Sequence, residues 1–189
     1  MSGPPPLPLI SPPDWLGAFD RGADGYQGNL GASPAMATMM AAANGVNPMG
    51  GTVNCGNIID AVVARLSGAD PDAVAPTDRD GSFDEIDQRF NTTVNWGQSF
   101  QAAYDAVQNG GPGTMAIVGI GYSGGGSHVV VLANVDGTVG VIEGQDWGDD
   151  DPREVVSTVD RANERYNSDG GSDIGFGIIG AGAPPPPGP

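Results

Sequence analysis

Two kinds of hydrophobic pattern occupy separate stretches of this chain, and their order limits the folds it can adopt. From Ser33 to about Gly110 the apolar residues recur at helical spacing. Ile58, Ile59, Val62, Val63 and Leu66 mark one buried face of a helix from near Asn54 to Gly68. Phe100, Ala103, Tyr104 and Val107 mark another, stopped by Asn109-Gly110. Ser33 and Pro34 read as an N-cap and first helical position, with Met36, Met39 and Met40 as core packing. Ser82 and Glu85 form a capping box for a short helix carrying Phe83, Ile86 and Phe90. Beyond Gly110 the runs TMAIVGI, HVVVLANV and TVGVIEG are β-rich, with turn signals between them. Pro152 predicts the opening of a helix with Val155, Val156, Val159 and Ala162 on one side, and IGFGII predicts a last strand. Helices first and strands later, without strand–helix alternation, predict an α+β fold with a small antiparallel sheet.

Gly and Pro are concentrated in a few places, so the folded part is shorter than the 189-residue whole. Residues 1–32 read as a Pro/Gly-rich linker or arm, 33–181 as the folded domain, and 182–189 as a disordered Pro-rich tail. The net charge is −16. A surface of that sign repels nucleic acid and anionic lipid, so neither is expected as a partner. No apolar run is long enough to span a bilayer. The start, MSGPPPLPLISPPDW, lacks the basic segment of a cleavable signal peptide, so export is expected by another route or as part of a longer chain.

Gly119-Ile120-Gly121-Tyr122-Ser123-Gly124 matches a dinucleotide-binding fingerprint in letters only. That fingerprint needs a following helix N-terminus to hold the pyrophosphate, and here the strand-like SHVVVL follows. No cofactor and no metal are expected.

The chain has one cysteine, Cys55, and one histidine, His128. A single thiol makes no intrachain disulfide, and one thiol with one imidazole makes no ordinary zinc site. What the pair can make is a nucleophile with its base. Asn54-Cys55-Gly56 opens a helix, where the dipole and unpaired N–H groups favour an anionic sulfur and can hold an oxyanion. The competing reading of Cys55 is a small buried hydrophobe.

His128 opens a strand after the loop SGGGS. A two-residue turn at Val135-Asp136 sets it opposite Glu143; a turn at Asp136-Gly137 sets it opposite Gln145. Residues two apart share a strand face, so Glu143 and Gln145 flank His128 in both registers, and Asp146 points away unless the strand has ended. A carboxylate or amide there would aim the imidazole, the third role in a triad.

The pattern VNPMGGTVNC followed by SHVVVLANVDGTVGVIEGQ resembles the papain-fold toxin domains of bacterial polymorphic toxins, of the glutamine deamidase type. The resemblance covers about Val46 to Asp146. It implies a papain-like fold, with Cys55 as nucleophile, His128 as base and Glu143-Gly144-Gln145 as the acid-bearing motif. Two positions depart from the family. Glu143 stands where an Asp is usual, which leaves Asp146 as an alternative acid. Ile58 stands where many members have a second Cys, and it suits the apolar helix face.

The activity implied is cysteine-dependent deamidation of a glutamine on a target-cell protein, by a toxin delivered through a dedicated secretion system and neutralised by a cognate immunity protein. A cysteine protease or a transglutaminase-type toxin would use the same triad. A non-enzymatic interaction module would leave Cys55 buried and His128 incidental.

Overall fold

A computed structural model describes residues 33–77 and 81–180. The expectations for the Pro-rich arm and tail lie outside these residues. The chain divides into two compact units, Met1–Ala37 and Thr38–Pro189. The described part of the first is only the start of helix α1, Pro34–Ala43, whose Ser33 side chain accepts the Met36 N–H at 3.1 Å as an N-cap.

The second unit continues with α2 (Cys55–Ser67), α3 (Phe83–Phe90), β1 (Asn95–Gln98), α4 (Phe100–Gly110), β2 (Thr114–Gly121), β3 (Ser127–Val135), β4 (Thr138–Glu143), β5 (Glu154–Val156), α5 (Val159–Tyr166) and β6 (Asp173–Gly180). The strands form one sheet in the order β1-β6-β2-β3-β4-β5, and every pair is antiparallel. The α+β expectation holds.

The central strands are apolar on both faces because helices cover both. Ile117, Val129, Val131 and Ile142 pack with Ile58, Ile59 and Val62 of α2. Ala116, Val118, Val130 and Val141 pack with Phe100, Tyr104 and Val107 of α4 and with Ala162 and Tyr166 of α5. This explains continuous runs such as HVVVLANV where a half-exposed sheet would show alternation.

The capping box forms as expected: Ser82 Oγ accepts the Glu85 N–H at 3.2 Å and lies 3.1 Å from its carboxylate. The segment after Pro152 departs from expectation. Residues 154–156 form edge strand β5 beside β4, and the helix starts only at Val159. Adjacent β-branched Val155 and Val156 favour the strand. Thr158 then caps the helix by accepting the Arg161 N–H at 3.1 Å. Short β1, exposed throughout, is an element the sequence pattern does not reveal.

Candidate active site

The β3–β4 hairpin chooses between the two registers. Asp136 (φ 51°) and Gly137 (φ 94°) both take positive φ, so they are the two turn residues, as a type I′ turn requires. Asn134 Oδ1 accepts the Gly137 N–H at 2.8 Å and fixes the turn. Val135 therefore faces Thr138, and the ladder ends where Val131 faces Ile142. Glu143 is the last residue of β4 and shares the Val130 and Val141 face with His128.

There His128 Nε2 meets Glu143 Oε2 at 2.8 Å, with both side chains almost fully buried. The Cys55 side chain is the imidazole's other polar neighbour, and Cys55, His128, Ser127, Phe83 and Ile86 line one small cavity. Cys55 belongs to the α2 layer, whereas Glu143 lies on the α4–α5 face. The site forms at the end of the sheet where β3 begins and β4 stops, so groups from both layers meet around His128.

Both Glu143 oxygens are occupied. Oε2 also accepts the Tyr166 hydroxyl at 2.8 Å, and Oε1 accepts the Gln145 N–H at 2.8 Å. The Arg165 Nε lies 3.9 Å from Oε2 and has no hydrogen-bond partner of its own. The rest of that guanidinium donates to Pro152 O at 2.6 Å, Glu154 at 2.9 Å and Gln145 O at 3.3 Å. It also lies over the Trp147 ring, 5.2 Å from its centroid. Trp147 in turn stands against His128, ring centroids 4.7 Å apart.

These contacts set the protonation states. Burial disfavours the imidazolium, but the Glu143 carboxylate and the Cys55 side chain outweigh it and raise the His128 pKa to about 9. Burial likewise disfavours the carboxylate, yet His128 and then Arg165 hold Glu143 below its usual range. Burial, with Glu143 beside it, pushes the Tyr166 hydroxyl well up, so Tyr166 is a donor throughout the working range.

The other expected residues separate into distinct places. Gln145 is buried but does not reach the imidazole: its Nε2 donates to Gly51 O at 3.2 Å and Asn54 Oδ1 at 3.3 Å. Its expected place beside His128 required a longer β4; the strand ends at Glu143 and the chain turns toward α2. Asp146 is exposed and accepts the Gly148 N–H at 3.0 Å, so the alternative acid is turned away. Asn54 occupies the N-cap of α2 without capping it. Its amide donates to Asn47 Oδ1 at 3.0 Å and to Pro76 O at 2.8 Å. The first N–H groups of α2, beside Cys55, thus lack a side-chain cap from Asn54.

Gly144 makes the turn toward α2 possible. A Cβ there would lie 2.5 Å from Val46 Cγ1 and 2.7 Å from Ile58 Cγ2. Ile58 therefore packs directly against the backbone that follows the acid.

Tyr166, Arg165 and Trp147 are site neighbours that the sequence reading did not single out. Tyr166 continues the stripe Val159, Ala162 at helical spacing, which signals burial but not a catalytic neighbour. Among the described residues, no group of three or more His, Cys, Asp or Glu could hold a metal ion. No helix among them is long and apolar enough to cross a membrane.

Cys55 at a helix start, His128 at the mouth of an antiparallel sheet and Glu143 behind it thus stand together in a mixed fold of helices packed on one sheet. The family described as papain fold toxin 1, glutamine deamidase, matches residues 53–147, just over half of the chain, and this protein belongs to it. No curated protein and no solved structure gives a significant match.

Proposed function

We propose that this domain is a cysteine-dependent protein glutamine deamidase, with Cys55 as nucleophile, His128 as acid and base, and Glu143 as the group that orients His128. The observation that carries this reading is that His128 meets both partners: its Nε2 engages the Glu143 carboxylate, and the Cys55 side chain hydrogen-bonds the same imidazole.

The Cys55 thiolate attacks the side-chain amide carbon of a glutamine on a target-cell protein, forming a C–S bond. The carbonyl oxygen becomes an oxyanion, held by the uncapped N–H groups at the start of α2. As the C–N bond breaks, the imidazolium gives its proton to the departing ammonia. The neutral imidazole then takes a proton from water, whose oxygen attacks the thioester. Collapse expels the Cys55 thiolate and leaves glutamate. Glu143, ionised and fully engaged, stabilises the imidazolium in both halves.

The whole constellation lies within residues 33–181, which we take as the catalytic domain. Its setting is that of an effector delivered into a target cell, with an immunity protein protecting the producer.

The test is mass spectrometry of a target-cell proteome treated with wild-type protein or with Cys55→Ala. A Gln-to-Glu mass shift that needs Cys55 supports the reading. New peptide termini would indicate proteolysis, and Gln-to-amine crosslinks transglutamination; either outcome overturns deamidation.

A further inference from the structure

The large apolar side chains exposed in the described part of the chain are not scattered. Met49, Val53, Val74, Trp96 and Trp147 are exposed by 75%, 68%, 52%, 37% and 40%. Each belongs to a segment that builds the site. Met49 and Val53 lie in the loop before Cys55, whose Gly51 carbonyl is bonded by Gln145. Val74 lies two residues from Pro76, whose carbonyl takes the Asn54 and Asn57 amides. Trp147 stands against His128, and Trp96 meets Phe83, a cavity-lining residue, edge-on with centroids 4.9 Å apart. Exposed apolar side chains carried by the segments that build one site mark a protein-docking surface.

The same segments carry exposed acids: Asp146, Asp149 and Asp150 beside Trp147, Asp72 beside Val74 and Asp84 beside Phe83. Of the neighbouring arginines, Arg161 and Arg165 are committed to Asp151 and Glu154. Arg153 is exposed, one cation against the three acids Asp146, Asp149 and Asp150.

We infer that the apolar rim around Cys55, with the acidic 146–150 loop, receives a target-protein segment whose glutamine is flanked by basic side chains. This deepens the deamidase reading and rests on it for the identity of the reacting group. The sign of the rim also suits the reaction. The substrate amide is neutral and the product carboxylate is anionic, so the rim attracts the basic segment and repels the new charge, favouring release.

Two measurements on the full chain separate this surface from the reaction. The first needs no turnover: Cys55 is modified with a cationic or an anionic methanethiosulfonate. The Cys55 thiolate attacks the sulfenyl sulfur of the reagent, forming a mixed disulfide with its RS group as the S–SO2 bond breaks and methanesulfinate leaves. At low salt the cationic reagent should react about tenfold faster, as expected for a few screened charges near a Debye length away. The difference should shrink in high salt and in the double variant Asp149→Lys, Asp150→Lys. Equal rates, or a faster anionic reagent, overturn the surface whatever else is found.

The second compares glutamine peptides flanked by arginine or by glutamate, read by released ammonia. The arginine-flanked peptide should have the higher kcat/KM, by about tenfold on the same charges. The double variant should bring the two peptides together, and Val53→Ser should raise KM without changing kcat. Equal turnover of both peptides overturns the proposal. A reagent preference that the double variant abolishes, with no peptide turned over, supports the charged surface and sinks the deamidase reading.

Discussion

Tyr166 and His128 share one oxygen: the Tyr166 hydroxyl and the His128 imidazole both contact Glu143 Oε2 at 2.8 Å. One carboxylate oxygen therefore joins helix α5 to the start of β3. Tyr166→Phe removes a buried donor to a charged acceptor. It should cost about 1.5–3 kcal/mol, the usual value for such a bond, read as a lower urea midpoint with unchanged m. Turnover should fall while KM stays put, because the lost contact holds the acid and not the substrate. Unchanged stability would mean that the shared oxygen is not a structural joint.

His128 is the chain's only histidine, so its ring protons titrate in an NMR spectrum without assignment. The wild-type inflection should come at about pH 9. Glu143→Gln removes the main opposition to burial, so the inflection should fall well below the wild-type value. An inflection unmoved by this substitution would break the His128–Glu143 assignment.

The same groups make stability depend on pH. The folded pKa of His128 is raised, so its contribution is complete below about 6.5 and is lost as pH rises through about 9. The folded pKa of Glu143 is lowered, so its contribution is present above 4.5 and is lost as pH falls through the folded value. The urea midpoint of wild-type protein relative to His128→Asn should therefore be greatest between about pH 4.5 and 6.5 and decline toward pH 9. A difference that grows with pH over that range would reverse the sign of the argument.

Gly144 is required by space. The two atoms that a Cβ would strike belong to β-branched, buried Val46 and Ile58. Gly144→Ala should destabilise by about 1–3 kcal/mol, the usual cost of overpacking, and should lower turnover by shifting Glu143. Adding Ile58→Ala opens the space and should recover part of the Gly144→Ala activity. Full stability in Gly144→Ala alone would show that the backbone yields there.

Much of this was legible in the sequence because it rests on local rules. The helix stripe at Ile58 to Leu66, the Ser82 capping box and the Asp136-Gly137 turn are each set by residues close together in the chain. The hairpin rule carried Glu143 onto the His128 face, since a period of two holds in both registers. What strand alternation does not encode is where pairing stops. β4 ends at Glu143, so Gln145 follows an irregular path to Asn54. Tyr166 and Arg165 come from a helix more than twenty residues further on, and only tertiary packing brings them to the acid. Val155, Val156, Val159 and Ala162 also fit a helical stripe, and it is pairing with the β4 edge that makes 154–156 a strand.

The Asn54–Gln145 contact, 3.3 Å between amides, ties the residue before Cys55 to the loop after Glu143. Neither side chain touches the imidazole, so each acts by holding Cys55 and Glu143 in register. Gln145→Ala and Asn54→Ala should each lower kcat more than they raise KM. Their effects on stability should not add. A double-mutant cycle should give a coupling of about 0.5–1.5 kcal/mol, the size expected for one buried neutral hydrogen bond. Asn54→Ala should be the more damaging single change, because it also abandons Asn47 and the Pro76 carbonyl. Strictly additive effects would show that Gln145 serves only the Gly51 carbonyl, and that the Cys55 and Glu143 segments are positioned independently.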